Sequence, residues 1–391
     1  MSRLADLIAE LCPDGVEYRP LSELVRIRNG CDYKALSSGN VPVYGSGGVM
    51  THVSEALGEG PTVLIPRKGS LDNIFFVEGE FWTVDTIFYT EIASELDPKF
   101  FFYKMKTMQL SQMNEAAGVP SMNQKKLGRI LIPVPPLEVQ REIVRILDKF
   151  TTLEAELEAE LEARRTQYEY YRNHLLSYES LAARGPVEMV KLGDIASIQR
   201  GRRFTLDQLG SDGRPAIHYG QIYTHYGVSA ASALSHVEES FSSSLRFAFP
   251  GDIIVAGVGE TVDDVGIGVA WLGTDAVAYH DDSFALHHDQ DPRYLSYWLR
   301  SDEYHRQKRS FVSQGKVKRL SAKGLAAVKM PLPDLSEQRR IADLLDRFDA
   351  LVNDITSGLP AEIAARCAQY EHYRDRLLSF PEKVISRSDA S

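Results

Sequence analysis

The sequence predicts an α+β protein built twice over. Two mixed, β-rich domains are joined by two long helices that form an antiparallel coiled-coil spacer, and the whole carries a pseudo-two-fold internal repeat. Three observations predict this. Residues 132–150, IPVPPLEVQREIVRILDKF, return at 330–348 as MPLPDLSEQRRIADLLDRF. QYEYYRNHLLSY, from Gln167, returns from Gln369 as QYEHYRDRLLSF. Between these echoes lie two long stretches that match each other poorly. A doubled frame around divergent inserts implies two copies of one module on a shared scaffold, an arrangement suited to a partner that also comes in two halves.

Along the first insert, residues 61–65 (PTVLI), 74–77 (IFFV) and 86–90 (TIFYT) are β-rich runs bounded by Gly, Pro and Asp. A helix is expected over 97–114, opening at an Asp-Pro pair. Pro133 and Pro135 then close the domain, because proline removes a backbone donor and pushes its neighbour out of the helical region. The helix that follows has an apolar stripe at Ile143, Ile146, Leu147, Phe150, Leu153, Leu157 and Leu161, resuming at Tyr168, Tyr171, Leu175 and Tyr178. Steps of three, four and seven place these on one face, with Glu154, Glu156, Glu158, Glu160 and Glu162 on a solvated one. A helix over 137–180 would be a rod of roughly 65 Å.

The second insert repeats the scheme. Strands are expected at 253–258, 265–271 and 276–279, and a helix at 291–311, again from Asp-Pro. Its opening ASIQRG matches VRIRNG of the first insert. After Pro331 and Pro333 the second stripe runs Ile341, Leu344, Leu345, Phe348, Leu351 and Ile355, then Tyr370, Tyr373, Leu377 and Phe380. This copy is four residues longer, close to one helical turn, so the stripe can resume on the same face. Gly358 and Pro360 sit in that insertion and predict a break or kink, since they cost about 1 and about 3 kcal/mol inside a helix. Mutual packing of the two stripes is the simplest way to bury them. The expected domains are 1–136 and 187–333, with the helices over 137–180 and 334–382.

A chain of 391 residues is too long for one core. No apolar run is long enough to span a bilayer, and the opening MSRLADLIAELCPDG carries Asp6 and Glu10 in place of a signal-peptide core, so a cytoplasmic protein without membrane contact is expected. Cys12, Cys31 and Cys367 are far apart, which argues against a disulfide framework or a cysteine-based zinc site. The net charge of −10 speaks at first against nucleic acid. Segments 137–180 and 334–382 each contribute −4, however, while 1–136 and 187–333 stand at −3 and −1. Nearly balanced domains can gather positive charge on one face, which is all that phosphate contact needs.

Catalytic signatures are missing. There is no GxxxxGK[ST] loop, and Gly257-Val-Gly259 and Gly266-Ile-Gly268 lack the third glycine and the strand–turn–helix context of a dinucleotide site. His287 and His288 are adjacent, which does not set two rings on one metal. No Asn-Pro-Pro-aromatic tetrapeptide of an amino-methyltransferase occurs. What remains is polar loop chemistry, similarly placed in both inserts. The first has Tyr44 and Ser46, then Arg67, Lys68 and Ser70, then Ser121, Asn123 and Lys125, with Lys34 as a further cation. The second has Arg200, Arg202 and Arg203, then Tyr219, Gln221 and Tyr223, then Ser313, Lys316 and Lys318. Arg and Lys pair with phosphates or guanine edges, Asn and Gln with adenine, and Tyr and Ser with either backbone or base. On the helices, Tyr168, Tyr171, Arg172, Tyr370, Tyr373 and Arg374 are candidates for partner contact, or equally for the helix–helix core.

These residues carry a resemblance. PLSELVRIRNG, the VPVYGSGG and VLIPRKGS loops, and the duplicated proline-to-helix junction make the chain similar to specificity subunits of type I restriction–modification systems over nearly its whole length. The resemblance implies two target-recognition domains, each reading half of a bipartite, asymmetric DNA site, on helices that fix the gap and dock two methyltransferase subunits. Restriction–translocase subunits would join for cleavage. It implies no cofactor in this chain: S-adenosylmethionine belongs to the methyltransferase, which would flip the target base, and ATP with Mg to the restriction subunit. Two other readings stand beside it, a coiled-coil protein-interaction scaffold with no DNA role and an enzyme with an unfamiliar active site.

Overall fold

The computed structural model describes residues 2–114, 118–239, 244–354 and 356–383. The chain forms two compact units, one from Met1–Glu158 together with Glu362–Ser391, the other from Ala159–Ala361.

Both units follow one plan. In the first, a four-stranded sheet runs in the order Val25–Asn29, Ile87–Ile92, Thr62–Pro66 and Phe75–Val77. In the second, the matching sheet runs Ala196–Arg200, Ser283–His288, Ile253–Ala256, Gly268–Trp271 and Ser229–Ala230. The central strands are apolar on both faces: every residue of Thr62–Pro66 and of Ile253–Ala256 is buried. A second sheet in each unit contains a parallel pair, Val41–Gly45 beside Glu80–Thr83 in one and Arg214–Ile217 beside Val277–Tyr279 in the other. A short antiparallel ribbon closes each domain, Tyr18–Pro20 with Leu131–Pro133 and Glu188–Lys191 with Lys329–Leu332. The junction prolines therefore sit where the ribbon turns into the long helix.

Gly30 directly follows the first opening strand and Gly201 the second, and both glycines are required by close approach. A Cβ on Gly30 would lie 2.2 Å from the Val84 carbonyl oxygen, and one on Gly201 2.1 Å from that of His280.

The long helices differ from the sequence expectation in instructive ways. The first is continuous over Leu137–Leu175, a rod of roughly 58 Å, and a short helix, Tyr178–Ala182, follows once Ser177 caps a new start. The second is broken as Gly358 and Pro360 predict, into Leu335–Asn353 and Leu359–Leu377. A Cβ on Gly358 would meet the Ala350 carbonyl at 2.5 Å. Ile355 lies outside the described residues. The helix expected over 97–114 stops at Lys106, and a 3-10 turn at Leu110–Met113 follows Gln109, which adopts φ 44°. That expected over 291–311 divides into Pro292–Trp298 and Asp302–Lys308, because the Ser301 side chain caps the second piece. The strand expected over 253–258 divides at Gly257, which packs against the Phe284 ring.

The divergent inserts are fastened to the repeated helices by one device used twice. In the first unit, the fully buried Gln140 accepts from the Asp97 backbone N–H at 2.7 Å and donates to the Pro135 carbonyl at 2.7 Å. In the second, Gln338 does the same for Asp291 at 3.1 Å and Pro333 at 2.8 Å. Asp97 and Asp291 cap the Asp-Pro helices. About two turns further along the long helix, Asp148 receives Lys99 at 3.0 Å and the Tyr103 hydroxyl at 2.6 Å. Its counterpart Asp346 receives Arg293 at 2.5 Å and the Tyr297 hydroxyl at 2.7 Å. The apolar stripes finish the job within each unit: Phe150 stacks on Tyr373 at 5.7 Å, and Tyr171 on Phe348 at 5.5 Å.

Candidate nucleic-acid interface

In the first unit the three loops singled out from sequence meet. The strand Thr62–Pro66 delivers Arg67, whose backbone N–H donates to Thr86 O and whose carbonyl accepts from Met122 N–H at 2.8 Å. Lys68 forms an antiparallel bridge with Ser121, and Gly69 N–H donates to Pro120 O at 3.0 Å. Gly69, at φ 84°, lies against Ser46, and Asn73 Nδ2 donates to Ser46 O at 3.1 Å, which docks the hairpin turn beside the basic loop. Lys68, Ser70 and Lys125 are exposed on this surface. Arg67 is half-buried, its guanidinium 5.9 Å from the Phe88 ring centre and within 3.4 Å of Asp85 O. Some candidates have structural duties. Asn123 caps the helix Gln124–Gly128 by accepting from Lys126 N–H at 2.8 Å, so its carboxamide oxygen is already used. Tyr44 packs on Phe75 at 5.9 Å, and the Ser121 backbone N–H donates to Asn114 Oδ1. Lys34 is exposed on a separate turn, its backbone N–H on Asp32 Oδ1 at 3.2 Å.

The second unit converges in the same way. Arg200 ends the opening strand, donates from Nε to Asp281 O at 2.6 Å, and lies 3.7 Å from Asp282 Oδ1. Arg319, from the loop of Ser313, Lys316 and Lys318, donates to the same Asp282 Oδ1 at 3.1 Å. Arg200, Arg203, Tyr219 and Arg319 line one surface pocket of about 480 Å³ together with His218, His280, Asp281 and Asp282. Arg202 and Lys316 are exposed outside it, and Lys318 pairs with Gly259 in a two-stranded ribbon. Ser313 Oγ accepts from Arg319 N–H at 3.0 Å, shaping the loop. Gln221 is spent on structure: its Oε1 accepts from His218 N–H at 3.0 Å and its Nε2 donates to Ser235 Oγ at 2.7 Å. Tyr223 packs on the buried core around Ile222, and burial raises its hydroxyl pKa.

His218 and His280 stand 4.6 Å apart, ring centre to ring centre. Burial, reinforced by the neighbouring His280, pulls His218 down to about 4, and burial lowers His280 as well. The pair is thus neutral at physiological pH and offers flat polar rings rather than charge. Sequence reasoning placed Arg319 in the polar loop that begins at Ser313, but missed both histidines, Asp281 and Asp282. A faint signal existed: HDDSF at 280–284 falls at the place of VDTIF at 84–88, directly before the same strand in each unit.

The helix residues separate clearly. Tyr168 is 6% exposed and donates to Asp349 Oδ1 at 3.0 Å, so it belongs to the helix core and is closed to a partner. Arg172 lies 5.5 Å from the Tyr168 ring, and Arg374 5.7 Å from the Tyr370 ring. Tyr370 and Tyr373 flank Phe150. Tyr171, Arg172, Tyr370, Tyr373 and Arg374 are half-buried and keep an outer edge.

Each of the two units thus gathers basic loops on a surface of its own. The family model for the type I restriction modification DNA specificity domain matches residues 13–163 and again 185–365. The chain belongs to that family. It is 31% identical over 386 residues to a Haemophilus influenzae protein named as a type I restriction enzyme specificity subunit, covering 93% of this chain and 96% of that one. An Escherichia coli type I restriction enzyme specificity subunit is 33% identical over 295 residues, covering 73% of this chain and 71% of its own length. Among solved structures, the type I restriction-modification system S subunit from M. genitalium superposes with a TM-score of 0.54 at 16% identity, covering 93% of this chain and 96% of that one. A chain from a study of complex assembly and conformational transition of the type I system gives 0.60 at 18%, covering 94% and 98%. These two establish likeness of fold. No described helix is long and apolar enough to cross a membrane.

Proposed function

We propose that each unit reads one half of a bipartite, asymmetric site in double-stranded DNA, with residues 1–136 and 187–333 as recognition domains and 137–180 and 334–382 as the spacer. The observation that carries this is the convergence, in both units, of loops far apart in sequence onto one surface where an arginine is anchored on the backbone of an aspartate: Arg67 on Asp85 and Arg200 on Asp281. Lysines and serines around them set register on phosphates, while arginine forks and amides meet base edges. The chain supplies specificity and not catalysis. Two methyltransferase subunits, holding S-adenosylmethionine, contact the outer edges of Tyr171, Arg172, Tyr373 and Arg374, and restriction subunits bring ATP and Mg.

The test is co-expression with the methyltransferase subunit encoded beside it, followed by sequencing of modified adenines in the host genome. A single two-part motif is expected, and exchanging residues 1–136 or 187–333 for those of another family member should change one half only. A stable complex that leaves no modified motif would refute the reading.

A further inference from the structure

The two guanidiniums at the mouth of the second unit's pocket do not stand alone. Asp282 Oδ1 lies 3.1 Å from Arg319 Nη1 and 3.7 Å from Arg200 Nη2, and Asp281 Oδ2 lies 3.5 Å from the same Arg200 nitrogen. Arg200 and Arg319 come from opposite ends of the domain sequence, yet both keep more than half of their side chains exposed, at 57% and 56%. Asp282 itself is only 21% exposed. It is rigidly seated: its backbone N–H donates to His280 Nδ1 at 3.0 Å, and its carbonyl accepts from Gly257 N–H at 2.8 Å. The adjoining loop is tied in by Leu320 N–H on Gly257 O at 2.9 Å. His280, Asp281 and Asp282 have ligating atoms within 4.8 Å of one another, as a cation site would, but the guanidiniums already supply the positive charge there.

A flexible arginine on a surface gains little from a single exposed ion pair. An arginine tethered at one edge loses fewer rotamers when its other edge meets a base, and so discriminates better. Among the described residues the first unit lacks this device: Arg67 rests on the Asp85 backbone, and the position matching Asp282 is Thr86, which offers its carbonyl to Arg67 N–H. The geometry points to Asp282 as a positioning residue that holds Arg200 and Arg319 as a paired fork for the base edges or phosphates of the DNA half-site taken by the second unit. This rests on the DNA-reading function proposed above and assigns the specificity of one of its two surfaces.

The test uses the co-expressed complex of the full chain with its methyltransferase subunit. Binding to its modified motif is compared with binding to sites altered one base pair at a time, over a salt series. Asp282→Asn keeps both backbone bonds and removes one negative charge beside two arginines. Discrimination at one or two adjacent base pairs of one half-site should fall about ten- to a hundred-fold, while affinity for unrelated DNA rises and its salt dependence steepens. Asp282→Glu should restore much of the discrimination. Arg319→Ala should lose the same discrimination without the gain in unrelated binding, which keeps the test informative if Asp282→Asn folds poorly by circular dichroism. An Asp282→Asn complex with wild-type discrimination at every position overturns the inference alone, as does one that loses all DNA binding to the same extent. A wild-type complex that binds no DNA overturns the DNA-reading function and the inference with it.

Discussion

Replacing Asp346 by alanine should destabilise the second unit by about 3 kcal/mol, and the reason is geometric. The carboxylate receives the Tyr297 hydroxyl at 2.7 Å and Arg293 at 2.5 Å. Tyr297 is 1% exposed, so its hydroxyl would lose the partner it is packed against, a cost of about 1–3 kcal/mol. The arginine would keep Asp343 at 2.8 Å, but that carboxylate is 62% exposed and offsets less than about 1 kcal/mol. Losing the charge-assisted bond therefore adds roughly 1.5 kcal/mol. In a Tyr297→Phe background the hydroxyl is already gone, so Asp346→Ala should cost only about 1.5 kcal/mol there, a coupling of about 1.5 kcal/mol. Urea unfolding followed by tryptophan fluorescence suits the measurement, since Trp271 and Trp298 both lie in the second unit. Equal costs in the two backgrounds would refute the clamp. In the first unit Asp148 is 37% exposed, much as Asp346 is at 38%, and it holds the likewise buried Tyr103, so Asp148→Ala should cost about as much, about 3 kcal/mol.

Arg67→Ala or Lys68→Ala should weaken DNA binding and flatten its salt dependence by roughly one phosphate contact without shifting the unfolding transition; unchanged binding across the salt series would strike that loop from the interface. Deleting four residues within 152–166 shortens the helix by about 6 Å, and the spacing between half-sites in the methylated motif should change while the half-sites stay the same; a fixed spacing would sink the idea of a molecular ruler. Lys308 is fully buried, donates to the carbonyls of Asp263 at 3.0 Å and Val265 at 2.5 Å, and burial lowers its amine to about 7. Between that value and the ordinary lysine range the unfolded chain binds more protons than the folded one, so stability rises with pH through this window. Wild type compared with Lys308→Met from pH 7 to 10 should show that rise only in the wild type, and parallel curves would count against it.

The doubled frame was legible because its signals are local and strong: proline junctions, apolar stripes and Asp-Pro helix starts all repeat. The break at Gly358 and Pro360 was legible for the same reason, as both act on their own backbone. Helix ends at Lys106 and Trp298 were not, because Gln109 in a left-handed conformation and the Ser301 cap are single-residue events that a longer apolar pattern overrides. Of the candidate site, sequence located the loops but not what each side chain does within them. Asn123 and Gln221 have the chemistry of adenine readers and of helix caps, and only three dimensions show that they cap. His280 and Asp282 went unseen because they lie on a strand lead-in, where their meeting with Arg319 depends on a loop 37 residues away. Tyr168 shows the limit of reading a stripe: spacing placed it on a face, and only packing decided that the face is closed.

The Gln140 and Gln338 anchors bear on how such a protein can change its target. Each insert meets the repeated helix through a short set of groups: the Asp-Pro start at Asp97 or Asp291, a cation at Lys99 or Arg293, and a tyrosine at Tyr103 or Tyr297. Everything in the loops that face outward is free of that duty. A foreign insert therefore needs only the plug to fit the socket, and its loops can drift or be replaced wholesale without remaking the frame. The inverse also holds: a graft that keeps every loop but loses the plug would misfold before it could recognise anything. Within this one chain the two copies agree in the frame and differ in the loops, and the boundary between frame and loop is a handful of hydrogen bonds.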